Sequence, residues 1–289
     1  MPKPLRFLVA ESEPPDARAE RRASVGQSSG ETYQDTLLRL APDASCDRIT
    51  PADKGSALPE AAELASYDAV FLTGSPLHLY ERTPEVSRQL DFMRAVFAAG
   101  VPAFGSCAGL QVATVAAGGS VRPNARGREA AFARRITLTQ DGAGHPMLAG
   151  RPQAFDAPAI HGDEVETLPE GAIVLASNRV TEVQAAEIRY ANGLFWGVQY
   201  HPELDLGEIA AALDRQAESL IEAGLAENRE ALEAHAALIA QLAREPERRD
   251  LAWQLGLDEE VTVPERRMTE LRNFIDHVVR REASARSRA

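Results

Sequence analysis

Val101-Pro102-Ala103-Phe104-Gly105-Ser106-Cys107-Ala108-Gly109-Leu110-Gln111 begins as a short apolar run and passes through small residues into a helical pattern. Val101 to Gly105 reads as a buried strand, and about Ala108 to Ala117 reads as a helix closed by Gly118 and Gly119. Cys107 therefore stands at a strand-to-helix turn. Glycines two positions to either side leave room for a sharp elbow that bulkier side chains would block. Such an elbow presents one side chain. Here it is a thiol at the positive end of a helix, where the dipole favours thiolate over thiol. A lone cytosolic cysteine is more commonly a small buried hydrophobe. Cys46, which lacks flanking glycines and follows the turn-like Ala41-Pro42-Asp43, is read that way.

Two further apolar runs, Leu5 to Ala10 and Ala69 to Thr73, read as strands, with a helix over Ser87 to Ala99 between the second run and the elbow strand. Strand, helix, strand predicts a parallel sheet. From Arg134 to Tyr200 the pattern changes to strands alone, at Arg135 to Thr139, Gln153 to Asp156, Ile173 to Ser177, Glu182 to Tyr190 and Leu194 to Tyr200. Beyond His201 the chain turns helical, with Ile209, Leu213, Leu220 and Ile221 on one face and Gly224 as the stop. Ala226 to Glu245 and Thr262 to Arg280 read as further helices, so the expected division is a main domain over 1–225 and a C-terminal helical extension over 226–289. The extension's apolar stripes, Leu232, Ala236, Ile239 and Leu242, then Met268, Leu271, Ile275 and Val278, need a surface to cover them. That surface is either the chain's own catalytic domain or a partner, with Trp253 and Leu255 as exposed apolar candidates between the stripes. Glu11 to Gly30 and Ala283 to Ala289 are polar stretches to which no structure is assigned.

The net charge of -12 argues against a nucleic-acid partner, since phosphate contacts need clustered Lys and Arg. Two cysteines are too few for a disulfide framework, Met1 to Ala10 lacks a signal-peptide core, and no window approaches a membrane span. A cytoplasmic protein without membrane attachment is expected.

Gly197-Val198-Gln199-Tyr200-His201-Pro202-Glu203 ends a predicted strand with two ionisable groups two positions apart. In extended backbone such positions face one side, so Glu203 can reach the ring of His201, and Pro202 between them restricts the backbone. A nucleophile, a base and a carboxylate that orients the base complete a triad. His78, His145, His235 and His277 have no matching elbow or partner in the sequence and read as surface or packing residues.

Gly105-Ser106-Cys107-Ala108-Gly109-Leu110-Gln111 and Gln199-Tyr200-His201-Pro202-Glu203 resemble the nucleophile and base motifs of the class I, triad-type glutamine amidotransferases. Leu72-Thr73-Gly74-Ser75-Pro76 resembles their early oxyanion turn. His161-Gly162-Asp163-Glu164-Val165 with Leu168-Pro169-Glu170-Gly171 resembles the His-Gly-Asp loop of guanylate synthetase amidotransferase domains. The likeness covers roughly Leu5 to Gly224, with Ser75 where a second glycine is more usual and Ile160 where Ser usually precedes the histidine. It implies a flavodoxin-like open α/β fold, a mostly parallel sheet flanked by helices, with a small antiparallel sheet added.

The resemblance further implies Cys107 as nucleophile, His201 as general acid and base, and Glu203 as the orienting carboxylate. Backbone N–H groups of Ser75 and Ala108 would form the oxyanion hole, with Gly74, Gln111, His161 and Gly162 holding the substrate glutamine. It implies no cofactor and no metal. The expected reaction is hydrolysis of the glutamine side-chain amide through a γ-glutamyl thioester, releasing ammonia. Other γ-glutamyl amides are the alternative, and a non-catalytic binding subunit is a reading of another class. No synthetase segment such as Ser-Gly-Gly-x-Asp-Ser is present, so any ammonia acceptor would belong to a synthetase partner subunit.

Overall fold

A computed structural model describes residues 4–286. Its main sheet has nine strands in the order β2-β1-β3-β4-β11-β10-β9-β6-β7. The parallel half comprises β1 (Arg6–Ala10), β2 (Ser45–Ile49), β3 (Ala69–Leu72), β4 (Ala103–Ser106) and β11 (Gly193–Val198). The antiparallel half continues it through β10 (Ala185–Tyr190), β9 (Ile173–Ser177), β6 (Glu129–Leu138) and β7 (Ala154–His161). A separate two-stranded sheet pairs β5 (Ser120–Pro123) with β8 (Asp163–Thr167). The predicted run of strands after Arg134 thus extends the main sheet, and the small sheet lies elsewhere. The α/β fold, mostly parallel in its first half and flanked by helices, is the one expected.

Helices cover both faces because each central parallel strand is apolar on both sides. On one face α4 (Pro84–Ala99) and α5 (Ala108–Ala116) pack over Leu8, Val70, Leu72 and Phe195. On the other, α2 (Ser29–Leu40) and the C-terminal residues Leu271, Phe274, Ile275 and Val278 cover Phe7, Phe71, Phe104 and Trp196. Helix α1 (Pro15–Val25) precedes α2, and a single turn, α3 (Ala61–Leu64), precedes β3.

Glu11 to Gly30, left without structure above, contains α1 and the first residues of α2. Its signal was hidden because α1 buries Arg18 and Arg21 rather than an apolar stripe. Arg18 pairs with Asp53, and Arg21 with Glu208 at 2.6 Å. The C-terminal helix expected over Thr262 to Arg280 is instead broken. Pro264–Arg267 starts after Val263 with no side-chain cap, Thr269–Phe274 follows, and Ile275–Val279 forms a π-helical turn. Its predicted stripe is nevertheless buried, at Met268, Leu271, Ile275 and Val278. Leu255 is also buried, and only Trp253 of that pair is exposed.

The boundary expected at 225 falls between helices that share one apolar cluster, with Leu213 and Leu220 on one side and Leu232 and Ile239 on the other. Ser287 to Ala289, part of the expected polar tail, lie outside the described residues, while Arg280–Arg286 is helical. Among the described residues no helix is long and apolar enough to cross a membrane.

Candidate active site

Three neighbouring strands end at one place. β4 pairs with β3 at Gly105 and Leu72 and with β11 at Ser106 and Val198, so Thr73-Gly74-Ser75, Cys107 and Gln199 to Glu203 emerge side by side. Cys107 has φ 53° and ψ -110°, a backbone state that non-glycine residues rarely adopt and that costs about 1–3 kcal/mol. Its N–H donates to Val198 O at 2.8 Å. The flanking glycines are needed for close approach. A Cβ on Gly105 would lie 2.8 Å from the Gly109 carbonyl carbon, and one on Gly109 would lie 2.7 Å from Leu72 O.

His201 Nδ1 contacts Glu203 Oε1 at 2.7 Å, and Cys107 is near enough to act on the charge of the same ring. All three groups are buried. The pair forms by a turn at Pro202 and Glu203, where Leu204 N–H donates to His201 O at 3.3 Å, rather than by strand alternation. Burial alone would drive the proton off His201, but Glu203 and Cys107 beside it more than reverse this, and the ring holds its proton up to about 10. Gly74 backs directly onto the ring, where an added Cβ would meet His201 Cε1 at 2.7 Å. Ala108 is the first residue of α5, a position whose N–H has no intrahelical acceptor. Ser75 lies in the turn after β3, and its Oγ accepts from Leu77 N–H at 3.2 Å.

Of the residues expected to hold substrate, Gly74 packs on His201, while Gln111, Gly162 and His161 hydrogen-bond to other parts of the chain. Gln111, one helical turn beyond Cys107, donates to Asp163 O at 3.3 Å and to Gln199 Oε1 at 3.2 Å. Gly162 O accepts from Asn124 N–H at 2.8 Å. The ring of His161 is turned inward, with Nδ1 at 3.0 Å from Asp163 O and Nε2 at 3.0 Å from Glu129 Oε2. Glu129 is a buried hub that also accepts from Thr181 at 2.9 Å, Asn178 at 2.6 Å and Gln184 at 2.5 Å.

Two of the histidines set aside above do have carboxylate partners. His145 meets Glu187 at 3.1 Å and packs edge-on against Trp196. His78 Nδ1 meets Asp163 Oδ2 at 2.6 Å and stacks on Tyr80, which ties the oxyanion-turn segment to the His-Gly-Asp loop. Sequence reading also passed over Ser106 and Tyr33. Ser106 Oγ donates to Glu203 Oε2 at 2.9 Å, and Tyr33 from α2 lies 2.7 Å from Ser106 Oγ. A hydroxyl at the end of an apolar strand needs a buried partner, which was the available signal for Ser106. Tyr33 carried none.

Residues 43–217 match the family described as glutamine amidotransferase class-I. A γ-glutamyl-L-1-hydroxyisopropylamide hydrolase from a Pseudomonas species is 37% identical over 284 residues, spanning 95% of this chain and 93% of that protein. A glutamine-hydrolysing GMP synthase from Streptomyces avermitilis is 36% identical over 177 residues, 61% of this chain but 31% of the synthase. Among solved structures, a glutamine amidotransferase from Thermotoga maritima superposes with TM-score 0.63 at 18% identity, covering 95% of this chain and 98% of that one. At that identity the superposition speaks for the fold. Together with the family match and the full-length Pseudomonas relative, these findings place the chain in the class I glutamine amidotransferase family, as an enzyme of the amide-hydrolase type.

Proposed function

We propose that the protein hydrolyses a γ-glutamyl amide through a covalent thioester, with Cys107, His201 and Glu203 as its catalytic triad. The observation that supports this most is the buried contact of His201 with Glu203 at 2.7 Å, with buried Cys107 following the adjacent strand end. The Cys107 thiolate attacks the γ-carbonyl carbon, and the oxyanion that appears is met by the N–H groups of Ala108 and Ser75. His201 gives its proton to the leaving nitrogen, and the free amine departs as the γ-glutamyl thioester forms. His201, now neutral, takes a proton from water, which attacks the thioester to release glutamate and restore the thiol. Glu203 keeps the ring turned toward the sulfur and stabilises its charged form. Gly74, Gln111 and Gly162 border the bound γ-glutamyl group, while His161 holds the loop that carries Gly162.

The leaving group is a small organic amine in the reading favoured here. The similarity to the γ-glutamyl-L-1-hydroxyisopropylamide hydrolase spans 95% of this chain and 93% of that protein, whereas the similarity to the Streptomyces GMP synthase spans 61% of this chain and 31% of the synthase. Glutamine hydrolysis with ammonia passed to a separate synthetase is the second reading, supported by those synthases. Parallel assays on γ-glutamyl-L-1-hydroxyisopropylamide and L-glutamine test the choice. The expected result is a kcat/KM at least about 10-fold higher for the former, the scale on which a pocket separates substrates by small alkyl groups. Cleavage of glutamine alone would overturn it in favour of ammonia release.

A further inference from the structure

Helix α2 presents two polar side chains, Ser29 and Tyr33, to the back of the site from positions one turn apart. Tyr33 is fully buried against Phe71, with its hydroxyl 2.7 Å from Ser106 Oγ. Ser106 Oγ gives its single proton to Glu203 Oε2 at 2.9 Å, so the proton between the two hydroxyls comes from Tyr33. Burial first, and the nearby Glu203 second, raise the pKa of Tyr33 well above its usual value, which keeps that donor protonated. Ser29 Oγ donates to Thr73 Oγ1 at 3.1 Å, and Thr73 Oγ1 donates to Gly74 O at 3.0 Å. Gly74 packs on His201, so the contacts close into a ring from α2 through the oxyanion turn and the triad and back to α2.

We infer that Tyr33, acting through Ser106, is a positioning residue for the triad, and that α2 braces the Glu203 carboxylate against the oxyanion turn. The inference rests on the triad reading given above. A carboxylate held only by His201 can pivot about its last side-chain bond. A second donor on the opposite oxygen removes that freedom and fixes the plane in which Oε1 meets the ring. Ser106, the residue before the elbow's thiol, thereby has a task, and the polar face of α2 an explanation beyond packing.

The test is a double-mutant cycle of Tyr33→Phe and Ser106→Ala in the full chain, with Glu203→Gln in the same series. Activity is read on γ-glutamyl-L-1-hydroxyisopropylamide and L-glutamine, and folding is checked by thermal melting. Ser106→Ala should lower kcat by about 10- to 100-fold, as expected for a hydrogen bond to a charged group, and Tyr33→Phe by about 2- to 10-fold, with KM changed less than about 2-fold. The double variant should be no slower than Ser106→Ala, because Tyr33 acts only through Ser106. Where Ser106→Ala fails to fold, Tyr33→Phe and the downfield proton resonance of His201 Nδ1–H carry the test, and that resonance should shift or broaden. Multiplying effects in the double variant, or unchanged kcat and resonance while Glu203→Gln is impaired, overturn the brace alone. Full activity in Glu203→Gln overturns the triad reading and the brace with it.

Discussion

Phe274→Ala separates a chain whose C-terminal helices are integral to its core from one that merely carries them. Phe274 is fully buried, with its ring 5.6 Å from Phe71, 5.6 Å from Phe104 and 5.7 Å from Trp196. Those three rings belong to β3, β4 and β11, the strands that lead into Gly74 and Ser75, Cys107 and His201. Truncating a buried Phe to Ala costs about 3–5 kcal/mol, combining lost transfer energy with the cavity left among partners that relax only in part. At about 2–4 °C per kcal/mol for a domain somewhat smaller than this one, Tm should fall by roughly 6–20 °C. Urea unfolding followed by fluorescence, together with a melting curve, reads the loss. A single cooperative transition moved by this amount is expected, and a loss below about 1 kcal/mol would refute the claim that residues beyond 225 share the catalytic core.

Gly74→Ala should reduce kcat far more than stability, because the new methyl group meets His201 Cε1 and turns the ring away from Cys107; steady-state kinetics beside a melting curve decides it. The pH profile of kcat should fall on its alkaline side near 10, where His201 loses the proton it owes the leaving amine. Stability follows the same group. Folded His201 holds its proton to about 10 and an unfolded histidine to about 6.5, so the stabilisation is complete below about 6.5 and is lost as pH rises to 10. Urea midpoints of wild type and His201→Ala should converge over that window. Arg151→Met should cost about 3–5 kcal/mol in urea unfolding, since it strands the buried Glu270 and takes from Glu260 one of its two guanidinium partners, leaving Arg266.

The parallel sheet and the elbow that carries Cys107 were legible in the sequence for different reasons. Central strands such as Ala69–Leu72 and Ala103–Ser106 are short apolar runs, and the elbow carries its glycines at the spacing that its tight backbone contacts require. What escaped is mostly structure whose buried face is polar. α2 buries Ser29, Gly30, Thr32 and Thr36 beside Tyr33 and Leu37, so its apolar period is diluted by polar and small residues. β2 is an edge strand reading Ser-Cys-Asp-Arg-Ile, mostly exposed, and its pairing with β1 is a long-range event that no local pattern announces. The C-terminal stripe survived in the sequence, but the breaks at Val263 and Met268 and the π-turn from Ile275 did not, because side-chain period tolerates a short interruption that backbone hydrogen bonding does not. Around the site, linear motifs singled out Cys107, His201 and Glu203 but could not show that His161 faces Glu129 or that His78 reaches Asp163.

The central claim is that Cys107 forms a covalent γ-glutamyl intermediate. Incubation with a glutamine-mimicking electrophile, followed by intact mass and peptide mapping, tests it most directly, since the chain has only one other thiol. Cys46 serves as an internal control, because burial pushes its pKa up to about 12 and leaves it without an activating partner. The account predicts one equivalent of label on Cys107, loss of activity in step with labelling, and no label in Cys107→Ala. Label on Cys46 with Cys107 unmodified and activity retained would contradict it.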